Sequence, residues 1–227
     1  MRKIVFATAA VLLAACGQGG APNGAAGGGN GGPATLDSVF PNLFQASYRS
    51  DVTITNPENG ETRPMVIIRD GRKMRVEIVQ DGTASAIVTN LDANEAFTLS
   101  ERAGQRMAVR MPLDAAQVTD AMKSWSGEGR TITRTGSCSV AGASGTEWAQ
   151  APSENDPKAR TSCVTSDGIF LRGTEDGVTT WETTSVQRGA QDPALFTIPA
   201  GYQVMDLGPM AAQMREAMER MKAQQNQ

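Results

Sequence analysis

The chain has 227 residues, of which 40% are hydrophobic, 20% charged and 5% aromatic, and its formal net charge is −3. That length accommodates one domain of ordinary size with appendages, and the acidic balance argues against nucleic acid or anionic lipid headgroups as electrostatic partners. Histidine is absent and Ser-x-x-Lys does not occur, which excludes Ser-His-Asp and Cys-His catalysis and that Ser-Lys hydrolase signature.

The first residues, Met1-Arg2-Lys3, are basic, and residues 4–15 form an apolar run. The run is shorter than the ~20 residues a permanent spanning helix needs, so residues 1–15 are expected to be a cleaved export signal. Leu13-Ala14-Ala15-Cys16 resembles the lipobox of bacterial lipoproteins, where small residues fit a narrow peptidase site and the thiol accepts diacylglycerol. Cys16 is therefore the expected lipidation site, and its acyl chains the expected contact with a membrane. Gly17 rather than Asp follows it, which in the sorting rule of enteric Gram-negative lipoproteins implies the outer membrane, lipid-anchored and periplasm-facing. Loss of the signal leaves 19 basic against 24 acidic residues, a formal charge of −5.

Residues 17–33 hold nine glycines and no charge. Such a segment cannot bury enough apolar surface to offset its ordering entropy and is expected to be a flexible tether of roughly 25 Å root-mean-square span. We place the tether at residues 16–35 and a single folded domain at residues 36–227.

Within that domain Leu36, Val39, Phe40 and Leu43 have helical spacing, although Pro41 limits the helix to a turn or two. Residues 44–54 alternate apolar and polar, the period of a strand with one buried face. Further strands are predicted at residues 65–68, 74–78, 86–88, 97–99 and 107–111, with Asn59-Gly60, Asp70-Gly71 and Asp81-Gly82 as turns. Residues 112–125 break the alternation and suit a helix with Pro112 near its first turn. Strands resume at residues 131–140, 146–149, 161–165, 169–172, 178–186 and 196–198, with turns at Asp167-Gly168 and Asp176-Gly177. A terminal helix starts near Pro209 and carries Met210, Met214, Met218 and Met221 as one stripe, which suits core packing or a surface accepting variable apolar partners. The expected fold class is mainly β (α+β), an open antiparallel half-barrel with helices covering its concave face.

Cys138 and Cys163 lie 25 residues apart on predicted strands, in a compartment where disulfides persist. A disulfide is the expected state, a reactive thiol pair the alternative. Two cysteines without histidine do not complete a zinc site, and no metal or cofactor is expected. Arg49, Lys73, Arg75, Arg102, Arg106 and Arg110 read as a solvated sheet face or as a lipid-headgroup site.

Several short motifs follow one another in this order: Tyr48-Arg49-Ser50-Asp51-Val52-Thr53-Ile54, then Ile68-Arg69-Asp70-Gly71-Arg72-Lys73-Met74-Arg75-Val76-Glu77, Ala86-Ile87-Val88-Thr89-Asn90 and Phe196-Thr197-Ile198-Pro199-Ala200-Gly201-Tyr202. They resemble the outer-membrane lipoprotein carrier and its receptor, the LolA/LolB-like superfamily, over most of residues 44–205. The segments around Cys138, Glu147-Trp148 and residues 163–172 are similar to a poorly characterised branch of that fold. The resemblance implies an open half-barrel whose apolar cavity takes the acyl chains of lipoproteins. The Met-rich terminal helix and the paired cysteines depart from the pattern, and the receptor's protruding apolar loop has no match. The reading that follows is a non-enzymatic envelope lipoprotein binding an apolar ligand (a lipid, an acyl chain or a lipoprotein) or a protein partner. Its candidate lining is Met65, Ile67, Met74, Val76, Ile78, Met107, Val109 and Met111, some of which are expected to face away because alternation alone does not set register. A structural lipoprotein working through its surface is the alternative, and a carboxylate-dependent hydrolase the third.

Overall fold

The computed structural model describes residues 39, 42, 44–80, 83–113, 132–152 and 157–206. The signal, Cys16, the tether, the Met-rich terminal helix and all of the helix expected at residues 112–125 beyond residue 113 lie outside the described residues; Pro112 itself ends a strand.

One antiparallel meander comprises β1 (Ser47–Thr55), β2 (Thr62–Asp70), β3 (Lys73–Gln80), β4 (Thr83–Asn90), β5 (Glu95–Arg102) and β6 (Gln105–Pro112). A second comprises β7 (Ile132–Val140), β8 (Ala143–Gln150), β9 (Arg160–Val164), β10 (Phe170–Glu175) and β11 (Val178–Arg188). Strand β11 pairs with β1 and so fuses the meanders, and β12 (Gln203–Asp206) adds to β6 as the one parallel pairing among the described residues. The result is a single 12-stranded sheet in the order β12-β6-β5-β4-β3-β2-β1-β11-β10-β9-β8-β7.

The turn chemistry explains most of the connections. Asp176 and Gly177 both take positive φ, 49° and 82°, the geometry of a tight hairpin whose twist matches its strands. Two hairpins use Ala-Gly instead: Ala103 and Ala141 sit at φ 49° and 50° before Gly104 and Gly142. Alanine carries no turn signal, so neither turn was expected from the sequence.

The expected helical cover is overturned. Among the described residues the helical features are Val39, an isolated helical position, and one 3-10 turn, Pro193–Phe196, and no helix lies over a concave face. The described residues are nearly all β rather than α+β. The strand predicted at residues 196–198 is also replaced by this turn. Asp192 caps it by accepting from the Ala194 amide at 2.9 Å, and Pro193 presets its backbone. Residues 189–202 carry the chain from β11 to β12 across one face of the sheet. There Phe196, with Leu195, Ile198 and Tyr202, covers Ile68, Ala86, Val88, Phe97, Leu99 and Ala108. Strand β12 was missed because four exposed residues are too few to show alternation.

Cys138 on β7 and Cys163 on β9 form a disulfide. Both strands pair with β8, so a flat sheet would hold them about 10 Å apart, yet their Cα atoms are 6.0 Å apart. The sheet coils tightly at this end, and Gly145 allows it, since a Cβ there would stand 2.6 Å from the Val164 carbonyl oxygen.

Candidate functional site

The strand registers resolve where the candidate residues point. Three rows run across the sheet on the face opposite the 3-10 turn. The first is Thr183, Val52, Met65, Ile78, Ser85, Ser100 and Met107. The second is Val186, Ser50, Ile67, Val76, Ile87, Thr98 and Val109, continued on β12 by Met205. The third is Arg188, Tyr48, Arg69, Met74, Thr89, Ala96 and Met111. All eight candidate residues therefore share this methionine face, and the expectation that some face away is corrected. Sequence alternation sets the face within each strand; only pairing sets it between strands.

Exposure changes along the rows. Val52, Met65, Met74 and Val76 form a buried cluster, flanked by half-buried Ile54, Ile67, Ile78 and Trp181. Towards the β6 edge Met107, Val109 and Met111 are half-buried, and Met205 is 47% exposed. The opposite face carries most of the basic residues, which pair with neighbouring carboxylates: Arg49 with Asp51, Arg75 with Glu77, Arg106 with Glu101 and Arg110 with Glu95. On that same face lies the apolar patch that the 189–202 crossover covers, and Arg75 also donates to the Leu195 carbonyl at 3.3 Å.

One buried charged group lies within the methionine face. Arg69 is 2% exposed. Its guanidinium hydrogen-bonds the Tyr48 hydroxyl, donates to the Met74 sulfur and the Gly71 carbonyl, both at 3.3 Å, and lies 5.8 Å from the centre of the Phe44 ring. Burial pulls the Arg69 pKa down while Tyr48 opposes this. Burial likewise raises the Tyr48 pKa, so the phenol keeps its proton at neutral pH. Sequence reading missed this pair, because the two residues are 21 positions apart and meet only through the β1–β2 register.

A fourth row contains Trp148, Ser162, Gly173, Trp181 and Ile54. The indole nitrogens of Trp148 and Trp181 are buried without a hydrogen-bond partner among the described residues, a state that costs about 1–3 kcal/mol per donor. Phe170 packs edge-on against Trp181, with ring centres 5.3 Å apart. A solvent-open depression of about 420 Å³ lies between Val140, Arg172, Glu182 and Thr183. No group of three or more His, Cys, Asp or Glu residues able to hold a metal occurs among the described residues. No helix among them is long and apolar enough to cross a membrane.

No protein-family model and no curated protein matches the sequence. Solved structures do match. The chain is similar to an uncharacterized conserved protein from Thermus thermophilus, with 16% identity and a TM-score of 0.51, over 75% of this chain and 96% of that one. It is also similar to a chain of the Pseudomonas aeruginosa MucA/MucB complex, with 17% identity and a TM-score of 0.50, over 75% of this chain and 62% of that one. At such identities the likeness is one of fold. MucB has a LolA-like fold, and the likeness to it extends to sheet architecture alone.

Proposed function

We propose that the chain is a non-enzymatic envelope lipoprotein, held at the outer membrane by acyl chains on Cys16 and facing the periplasm, whose sheet binds the acyl chain of a lipid or lipoprotein on its methionine face. The observation that carries this reading is the set of three cross-strand rows. Their apolar side chains run from a buried cluster at Val52, Met65, Met74 and Val76 to half-open Met107, Val109 and Met111. An acyl chain laid along the open part extends the buried cluster without further backbone rearrangement, and each methylene it buries contributes about 0.8 kcal/mol. Unbranched thioethers adapt to chains of differing length and bend.

The test is native purification followed by organic extraction and mass spectrometry, run on the Cys16→Ser protein so that no covalent anchor contributes. Acyl lipids recovered in near-stoichiometric amount, and lost on Val109→Asp, support the reading. Clean protein with no extractable lipid and no uptake of added lipid refutes it. A second reading, a protein partner on the same face, is favoured by the neighbour whose structure is a MucA/MucB complex. A partner co-purifying at one copy per chain, with no lipid present, would select it.

A further inference from the structure

The fourth row bears on the chemistry of the ligand, and the inference rests on the reading above. Trp181 packs into the same cluster as Ile54, Met65 and Val76. Trp148 lies on the same row, separated from it by the two small residues Ser162 and Gly173. The Phe170 ring occupies the space above Gly173, where a Cβ would stand 2.8 Å from its Cζ. The row thus sets Ser162 between Trp148 and the Phe170–Trp181 pair. Indole is a donor only, and both nitrogens are shielded from water with no acceptor among the described residues. Two orphan donors beside one apolar face call for a ligand that brings acceptor oxygens with its hydrocarbon. Arg134 completes the row on β7 but is exposed, and Glu175 nearby is neutralised by Lys158 and Arg160. The two buried indole donors therefore suit an uncharged oxygen.

We propose that the Trp148–Ser162–Gly173–Trp181 row binds the carbonyl end of an acyl ester or amide, its oxygen accepting from an indole N–H while the hydrocarbon runs over Ile54, Met65 and Val76.

The probes are monolauroylglycerol and its ether counterpart monododecylglycerol, which share headgroup and chain and differ in the carbonyl. Binding is measured by calorimetry on the otherwise complete Cys16→Ser chain. The ester is expected to bind about tenfold more tightly, equivalent to about 1.4 kcal/mol. In the Trp148→Phe/Trp181→Phe protein the ester-to-ether ratio falls to near one, whichever way the ether affinity itself moves. An independent readout needs no altered core: the indole N–H resonances of Trp148 and Trp181 in the unsubstituted rings move downfield with the ester and not with the ether. Equal affinities in the protein with both tryptophans, or a tenfold ratio that survives their replacement, overturns the assignment and leaves the methionine face standing. Failure of both probes to bind overturns the face as well.

Discussion

Removing the Tyr48 hydroxyl tests how the methionine face tolerates a cation. Arg69 is 2% exposed, so its guanidinium depends on protein acceptors rather than water. Tyr48→Phe keeps the ring in place and deletes one of them. A hydrogen bond to a charged group contributes about 1.5–3 kcal/mol, and a buried donor left without its acceptor bears the desolvation cost as well. A loss of about 2 kcal/mol divided by a urea slope of about 2 kcal/mol/M lowers the unfolding midpoint by about 1 M. Adding Arg69→Met then removes the charge itself. Methionine has similar length and meets Met74 across the β2–β3 pair, and apolar replacement of buried ionic groups is commonly neutral or stabilising. The double variant should thus recover most of the lost midpoint. The assay is equilibrium urea unfolding followed by tryptophan fluorescence. An unchanged midpoint in Tyr48→Phe, or a double variant as weak as the two single losses added together, refutes the account.

Three further outcomes follow from local geometry. Opening the Cys138–Cys163 bond by Cys138→Ser/Cys163→Ser frees a chain segment of 25-residue separation and should cost about 3.5 kcal/mol on the chain-entropy model, read as a fall in the urea midpoint. Ala141→Gly relieves a left-handed alanine at φ 50° and should stabilise by about 0.5–1 kcal/mol, visible as a raised melting temperature; a lowered one contradicts the turn geometry. Hydrogen bonds from Arg188 hold the Asp167 carboxyl below its ordinary pKa of 3.8, with Thr165 adding to the effect. The stability it contributes is therefore full above that ordinary value and is lost as the pH falls through the lowered one. Urea titrations should show Asp167→Asn weaker than the parent at neutral pH and converging with it in acid; a gap that persists or widens in acid would show that the carboxylate charge is not its source.

Local order carried most of the strands. Alternation at residues 44–54 and 74–78, bounded by Asp-Gly and Asn-Gly pairs, specifies strands and hairpins by contacts a few positions long, so it can be read along the chain. The pairing of Cys138 with Cys163 was reachable in the same way, from count and compartment. Composition could likewise nominate Met65, Met74, Met107 and Met111 as apolar bulk.

Register and crossover lie beyond that reach. Whether the eight candidate residues share a face depends on four successive pairings between β2 and β6, each of which would flip the pattern if it slipped by one residue. The β1–β2 pairing likewise brings Tyr48 to Arg69, and the opposite face receives the crossover of residues 189–202. Residues 196–198 read as a strand, yet Asp192 and Pro193 set a turn that ends on Phe196, whose partners on β4 and β5 lie about 100 positions away. The two tryptophans show the division most plainly. Each is legible in the sequence as a large apolar residue with one donor, but that both donors sit unpartnered on one row is decided by three strand pairings. Short-range physics writes the strands into the sequence, while the faces they present are set by long-range hydrogen bonding and become legible only once the sheet is assembled.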